Sequence, residues 1–135
     1  MGTKRRILLV DDEETFANAL KLYLEKTERF AVRVENRGES AYEAVRIFRP
    51  DLVLLDVIMP DMDGGAVAAQ IKEDPTLSRT PILFLTAAMS REEASPKSNT
   101  IGGQKFIPKP VSAREVLTYI DQTIGKDTGK PQQAS

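Results

Sequence analysis

The stretch Leu52-Val53-Leu54-Leu55-Asp56 decides the fold of this chain, because four consecutive large apolar residues end on one carboxylate. A short run that is apolar at every position is typical of a parallel strand covered on both faces. Pro50-Asp51 marks its start, since the residue before a proline disfavours the helical conformation. A carboxylate at the end of so apolar a strand is costly to bury alone, and its position needs a chemical explanation.

Three further apolar runs end on residues suited to handling a phosphoryl group. They are Ile7-Leu8-Leu9-Val10 before Asp11-Asp12, Ile82-Leu83-Phe84-Leu85 before Thr86, and Phe106-Ile107 before Pro108-Lys109-Pro110. Open α/β sheets bind ligands at the carboxyl ends of their strands. If the four runs are parallel strands of one sheet, three carboxylates, a hydroxyl and an ammonium group lie at one edge. Clustered carboxylates repel one another, so the site implies a divalent cation as well as a phosphoryl group.

Helical patterns alternate with these runs. An amphipathic helix is predicted over 14–27 and a short strand over 31–34, and Ser40 and Glu43 stand at the spacing of a capping box for a second helix. Ser112 and Glu115 predict a second capping box, at the start of the last helix.

The turn Asp63-Gly64-Gly65 precedes a further helical segment, which is predicted to run through Ile71. Alternating strands and helices imply right-handed crossovers. The chain is therefore predicted to have a flavodoxin-like, doubly wound α/β fold with a five-stranded parallel sheet in the order 2-1-3-4-5.

Residues 90–104 depart from this alternation. A fourth helix is due there, but Pro96 and Gly102-Gly103 disfavour one. We expect an irregular fourth helix in a segment of low stability that responds to modification of the domain. Residues 126–135 are polar and are predicted to form a disordered tail or severed linker after a single domain spanning 1–125.

Composition excludes several classes of function. The 135 residues carry a net charge of −1, which gives no electrostatic reason to expect nucleic acid or an anionic membrane as a partner. The chain has no Cys and no His, so thiolate and histidine metal sites and histidine-based catalytic triads are excluded. Neither a signal peptide nor a membrane span is recognisable, and a cytoplasmic location is expected.

Each candidate residue also has an ordinary interpretation. Asp12 is suited to capping a helix, Asp56 to a turn, Thr86 to a strand end and Lys109 to a solvated surface. Their occurrence together at four strand ends favours a functional site.

The residue types suggest specific roles. Magnesium prefers hard oxygen ligands, which Asp12 and Asp56 are predicted to provide directly, with Asp11 close by or acting through water. Asp56 is the best nucleophile, because a carboxylate can accept a phosphoryl group as an acyl phosphate. Lys109 can compensate charge, and Thr86 can donate its hydroxyl to a phosphoryl oxygen.

In these motifs the chain resembles the receiver domains of two-component response regulators, over roughly residues 4–125. The resemblance rests on Ile7-Leu8-Leu9-Val10-Asp11-Asp12-Glu13, Pro50-Asp51-Leu52-Val53-Leu54-Leu55-Asp56, Met59-Pro60-Asp61-Met62-Asp63-Gly64, Thr86-Ala87 and Lys109-Pro110. It implies a signalling switch that receives a phosphoryl group from a sensor histidine kinase or a histidine phosphotransfer protein and acts on a downstream effector protein or domain. Enzymatic activity beyond self-phosphorylation and self-dephosphorylation is not expected.

The resemblance also assigns individual residues. It implies that Asp56 is phosphorylated, that Asp11, Asp12, Asp56 and the backbone carbonyl of Ile58 hold Mg²⁺, and that Thr86 and Lys109 contact the phosphoryl group. Phe106 matches the aromatic switch position, and the bond between Lys109 and Pro110 is expected to be cis.

Other functions fit less well. A phosphatase of the haloacid dehalogenase type needs a second Asp two residues after the nucleophile, where this chain has Ile58. A calcium loop around Asp61 would place Met59 and Gln70 at ligand positions that require carboxylates. A flavin phosphate would be repelled by the acidic residues after the first strand. The alternative that stays open is an interaction module that keeps the fold but is not phosphorylated.

The lifetime of the acyl phosphate is a further expectation. Hydrolysis needs a water held in line, and the positions two residues after Asp56 and Thr86 are Ile58 and Ala88. Neither side chain can hydrogen-bond to water, so slow self-dephosphorylation is predicted.

Overall fold

The computed structural model of the chain describes residues 4–87, 100–101, 104–109 and 111–125. The strands in these ranges are β1 Arg5–Val10, β2 Phe30–Glu35, β3 Leu52–Asp56, β4 Ile82–Thr86, β5 Thr100–Ile101 and β6 Gln104–Pro108. The helices are α1 Glu14–Lys26, α2 Ala41–Phe48, α3 Gly64–Glu73 and α4 Ala113–Ile124, and a 3-10 turn, Gly38–Ser40, precedes α2. None of the helices in the described part of the chain is both long and apolar enough to cross a bilayer.

The strands form one sheet in the order β2-β1-β3-β4-β6-β5. All strand pairs are parallel except β5 with β6, so the five parallel strands follow the predicted order 2-1-3-4-5. The flavodoxin-like fold is confirmed. The register pairs Val10 with Leu55 and Thr86 with Pro108, and it thereby brings the predicted site residues to one edge of the sheet.

Each face of the sheet carries its own apolar core. Leu8, Val53 and Leu55 pack on the side of α2 and α3, whereas Ile7, Leu52 and Leu54 pack on the side of α1 and α4. Successive residues of a strand point to opposite faces, which is why β1 and β3 need apolar residues at every position. Truncation of one of these buried Leu residues to Ala would cost about 2–5 kcal/mol.

One predicted capping box is confirmed and the other is wrong. Ser112 Oγ accepts a hydrogen bond from the Glu115 amide at 3.1 Å, and Glu115 Oε1 accepts one from the Ser112 amide at 3.0 Å. Ser40 makes no such bond, because its backbone is already in the helical region (φ −95°, ψ −3°) at the end of the 3-10 turn. Its hydroxyl instead donates to Glu35 Oε1 at 2.9 Å.

Most of the predicted irregular segment 90–104 lies outside the described residues. Its described part is extended: Thr100 pairs with Lys105 and Ile101 with Gln104 in an antiparallel ladder. The sequence between the two strands is Gly102-Gly103, a dipeptide typical of two-residue hairpin connections. The predicted fourth helix, the predicted cis bond to Pro110 and the predicted tail over 126–135 also lie outside the described residues.

Side chains of α1 cover the outer edge of β2 at Val32. The Val32 amide donates to Glu25 Oε2 at 3.0 Å, and Lys21 Nζ donates to the Val32 carbonyl at 3.1 Å. Lys21 and Glu25 also form an ion pair at 3.2 Å. The hydrogen bond from Val32 is the main reason why the pKa of Glu25 is lowered. Both outward-facing backbone groups of Val32 are therefore satisfied.

Candidate functional site

Three carboxylates converge where β1 and β3 end. Asp11 directly follows β1 and is fully buried, and its amide donates to the Glu35 carbonyl at 3.0 Å. Asp56 is the last residue of β3 and is 4% exposed, while Asp12 is half-buried. One oxygen from each of Asp11, Asp12 and Asp56 lies within 4.8 Å of the other two. The structure thus brings together the three acidic residues that the sequence singled out.

The pKa of the Asp56 carboxyl is raised to about 7. Burial is the largest cause, the negative charge of Asp11 adds to it, and the ammonium group of Lys109 acts in the opposite direction. A group of oxygen ligands that repel one another in a buried corner fits a hard divalent cation, which would relieve that repulsion. The donor set therefore suits a hard divalent cation.

Ile58 lies directly beyond the Asp56 carboxylate. Its amide donates to Asp56 Oδ1 at 3.3 Å, which orients the carboxylate from the loop that follows β3. The Ile58 side chain is 57% exposed although it is large and apolar. It therefore presents an apolar wall, without hydrogen-bonding capacity, next to Asp56.

Gly64 fixes the return of that loop against β3. Its amide donates to the Val57 carbonyl at 2.8 Å, and a Cβ atom at Gly64 would lie 2.3 Å from the Asp56 carbonyl oxygen. No side chain fits at that distance. Asp63 begins α3 by accepting a hydrogen bond from the Gly65 amide at 2.7 Å. The sequence indicated a turn here, but nothing in it signalled contact with the Asp56 backbone.

Lys109 lies among the acidic residues rather than in solvent. Its Nζ lies 2.9 Å from Asp11 Oδ2, 2.6 Å from Glu13 Oε1 and 3.9 Å from Asp56 Oδ2, and the side chain is 11% exposed. The ammonium group also lies 4.8 Å from the ring centroid of Phe16. Burial acts to lower the pKa of Lys109, but hydrogen bonds to Asp11 and Glu13 outweigh it and the pKa is raised.

Glu13 also lies at the candidate site, where it contacts Lys109, and the sequence gives no sign of this contact. The chain carries four successive acidic residues from Asp11 to Glu14, and composition alone does not distinguish a residue that contacts Lys109 from one that only begins the helix. The contact depends on where β6 ends, which only the fold reveals.

Thr86 and Phe106 lie on the two strands beyond β3. Thr86 is 1% exposed, and its carbonyl accepts a hydrogen bond from the Lys109 amide at 2.8 Å. The Phe106 ring lies inward, 8% exposed, and stacks on Phe84 with 4.9 Å between the ring centroids. The residue at the predicted switch position is therefore packed in the core directly beside the strand that carries Thr86.

A cleft of about 510 Å³ opens at the edge of the sheet where the acidic residues and Lys109 lie. Its polar lining includes Asp12, Asp56 and Lys109, and its apolar lining includes Phe16, Ile58 and Val111. Asp56, which is otherwise buried, is reached from solvent through this cleft.

The chain is similar to known proteins of one family. The family model of the response regulator receiver domain matches residues 7–121. The transcriptional regulatory protein SrrA of Staphylococcus aureus is 38% identical over 114 residues, which cover 84% of this chain and 45% of SrrA. The chain thus spans less than half the length of that relative.

Solved structures give the same result. The non-phosphorylated HemR receiver domain of Leptospira biflexa is similar with a TM-score of 0.75 and 32% identity, over 96% of this chain and 99% of that one. The BeF3-activated N-terminal receiver domain of RstA from Klebsiella pneumoniae has a TM-score of 0.73 and 28% identity, over 89% and 98% of the two chains.

Proposed function

Because this chain belongs to the family of response regulator receiver domains, we propose that Asp56 is the residue on which it accepts a phosphoryl group. The chain is accordingly a phosphorylation-dependent signalling domain of a two-component system. The observation that carries the assignment is the position of Asp56, a buried carboxylate at the end of the central strand β3 and in the lining of an open cleft.

The chain has no His, so the phosphoryl group comes from a phosphohistidine of a partner protein or from a small phosphodonor. One carboxylate oxygen of Asp56 attacks the phosphorus atom and an O–P bond forms. The N–P bond of the phosphohistidine breaks, and its electron pair passes to the imidazole nitrogen. The attacking carboxylate has to be ionised, which the burial of Asp56 opposes and the nearby Lys109 ammonium favours.

Asp11, Asp12, Asp56 and the backbone carbonyl of Ile58 are the groups that would hold Mg²⁺. When bound, Mg²⁺ supplies positive charge that compensates the charge of the phosphoryl oxygens. The close approach of the three carboxylates supports this assignment.

Lys109 and Thr86 are proposed to bind the phosphoryl oxygens. The Lys109 ammonium lies 3.9 Å from Asp56 Oδ2, within reach of a group attached there. Its three donors suit a phosphate as a point charge. Thr86 ends the neighbouring strand, and its hydroxyl can donate one hydrogen bond. The main-chain bond between Lys109 and Thr86 holds the two residues at a fixed spacing.

The proposed partners follow from this chemistry. A sensor histidine kinase or a histidine phosphotransfer protein delivers the phosphoryl group in the cytoplasm, and a downstream effector protein or domain reads the modified state. SrrA is a transcriptional regulatory protein, and in a protein of that kind any DNA binding would belong to a separate domain. The described domain is proposed to act as a phospho-acceptor rather than as an enzyme on other substrates.

Intact-mass measurement after treatment with acetyl phosphate tests the proposal. We expect one added phosphoryl group in the presence of Mg²⁺ and none after chelation with EDTA. Asp56→Asn should abolish the labelling. Undiminished labelling of the variant would disprove the assignment of Asp56. A wild-type chain that binds neither phosphoryl group nor beryllofluoride would instead be an interaction module that is not phosphorylated.

A further inference from the structure

Asp61 ties the loop after β3 to the loop after β2. It stands five residues after Asp56, and both of its carboxylate oxygens accept backbone hydrogen bonds: Oδ1 from the Gly38 amide at 3.1 Å and Oδ2 from the Glu39 amide at 3.0 Å. These two bonds, that from Glu39 first, are the main reason why the pKa of Asp61 is lowered. The ionised carboxylate is therefore the form that makes this contact.

A second contact joins the same two loops. Gly38 is buried, and a Cβ atom there would lie 2.8 Å from the Met62 carbonyl oxygen. There is no room for a side chain at this position unless the Met62 backbone moves, which favours glycine. Met59, which lies between Asp56 and Asp61 in the sequence, is 7% exposed and packs in the apolar core.

These contacts leave little freedom to the loop 57–63. Gly64 fixes its far end against the Asp56 carbonyl, and Met59, Asp61 and Met62 fix its middle. Ile58 lies between the fixed residues Asp56 and Met59. Its backbone carbonyl is the one proposed metal ligand that cannot be adjusted by a side-chain rotation.

We propose that Asp61 is a positioning residue for metal binding: by bonding to Gly38 and Glu39 it holds the loop 57–63 so that the Ile58 carbonyl and the Asp56 carboxylate face the cation together. The proposal rests on the proposed function. Mg²⁺ demands near-ideal octahedral geometry, so a small displacement of a main-chain ligand is costly. Residues that orient metal ligands from behind typically change metal affinity when they are removed.

The carboxylate is suited to this contact because it offers two acceptors to two amides. Asp61→Asn keeps one acceptor oxygen and turns an NH₂ group toward the other amide, so one of the two bonds is lost. Asp61→Ala loses both. Gly38→Ala perturbs the same contact from the opposite side without any change in charge, since its Cβ would push the Met62 carbonyl away.

Isothermal titration calorimetry with Mg²⁺ tests the proposal. We expect Asp61→Ala to weaken Mg²⁺ binding by roughly 10-fold, Asp61→Asn by less, and Gly38→Ala in the same direction as both. Amide hydrogen exchange of Gly38 and Glu39 should accelerate in the Asp61 variants. The measurements are made at temperatures where urea titration shows each variant to be folded.

Asp74 provides a matched control. Its carboxylate likewise accepts a backbone bond, from the Thr76 amide at 2.9 Å, and a second bond from the Tyr42 hydroxyl at 2.7 Å, but it lies in the loop after α3. Asp74→Ala should lower the free energy of unfolding and leave Mg²⁺ affinity unchanged. Equal Mg²⁺ affinities for the wild type and the Asp61 variants would overturn the proposal, and so would an effect on affinity in the Asp61 variants that Gly38→Ala does not reproduce, because charge alone would then account for it.

The same titration separates this proposal from the proposed function. A wild-type chain that binds Mg²⁺ and is labelled on Asp56, together with Asp61 variants that bind Mg²⁺ equally well, would disprove positioning by Asp61 alone. A wild-type chain that binds no Mg²⁺ would disprove both.

Discussion

The Lys109 ammonium is hydrogen-bonded to Glu13, with 2.6 Å between Nζ and Oε1, whereas Asp56 Oδ2 lies 3.9 Å away. A phosphoryl group on Asp56 would therefore compete with Glu13 for Lys109. The Glu13 side chain is 60% exposed, so water can replace the contact of Glu13 with Lys109 at little cost in free energy. Glu13 is accordingly a weak competitor that can release Lys109.

Glu13→Gln should strengthen the binding of a phosphoryl mimic. The substitution removes the competing charge but keeps the size of the side chain, and we expect the affinity for beryllofluoride with Mg²⁺ to rise about 2- to 5-fold, as exposed ion pairs contribute little. Nuclear magnetic resonance titration with beryllofluoride and Mg²⁺ measures this affinity. Glu14→Gln removes the same charge one residue further along the chain. An equal gain in both variants would show that net charge, not release of Lys109, is responsible.

Asp56→Asn should stabilise the metal-free protein at pH 8 more than at pH 5. The pKa of Asp56 is about 7 in the folded state and about 4 when unfolded. Between these values the folded state binds more protons, so the free energy of unfolding falls as pH rises toward 7. These pKa values correspond to a gain for the variant of at most about 4 kcal/mol at pH 8 and about 1.5 kcal/mol at pH 5, a difference of roughly 2–3 kcal/mol. Urea denaturation in EDTA measures the free energy of unfolding at the two pH values. A gain in stability that does not depend on pH would contradict the prediction.

Gly64→Ala should damage both stability and phosphorylation. The new Cβ would lie 2.3 Å from the Asp56 carbonyl oxygen, so β3 or the loop has to move, at a cost of about 1–3 kcal/mol. Labelling by acetyl phosphate should slow, because Asp56 moves with the strand end. Gly65→Ala is the control: its Cβ would lie 3.2 Å from one Asp63 oxygen, the residue is exposed, and we expect little loss. Similar losses in both variants would argue against the contact with Asp56.

Ile58→Asn should shorten the lifetime of the acyl phosphate. The Ile58 side chain lines the cleft beside Asp56 and cannot hold a water in line, whereas Asn can hydrogen-bond to one. One such bond corresponds to about a 2- to 10-fold faster hydrolysis, followed by loss of mass after removal of the donor. Leu22→Asn replaces an apolar residue that is 63% exposed on α1 and should leave the rate unchanged. An unaltered rate in Ile58→Asn would refute the prediction. Ala88, the second position in the sequence-based expectation, lies outside the described residues.

The fold and much of the site were predictable because strands that end on polar residues leave a clear pattern. The apolar runs before Asp11, Asp56 and Thr86 could be assigned as parallel strands, and the order of such strands then brings their ends together. β5 was not predicted, since its two residues are too few to show a period. The capping box at Ser40 was wrong because the spacing alone does not reveal the 3-10 turn before it.

Contacts between loops are the part that the sequence does not reveal. The bonds from Gly38 and Glu39 to Asp61 join residues that are more than 20 positions apart. Gly, Glu and Asp are all common in turns or on surfaces, so none of the three residues signals this contact by its type. Their relation depends on the strand order, which must be known before the partners can be named.

The covered edge of β2 has a consequence for how the protein behaves at high concentration. The open edge of a sheet is a template on which a second chain can add strands and begin a fibril. At Val32 an incoming strand would first have to displace Glu25 from the amide and Lys21 from the carbonyl, and it would break their ion pair as well. Two side chains of a neighbouring helix thus act as a substitute for the missing strand, and we expect them to protect this border of the sheet against aggregation.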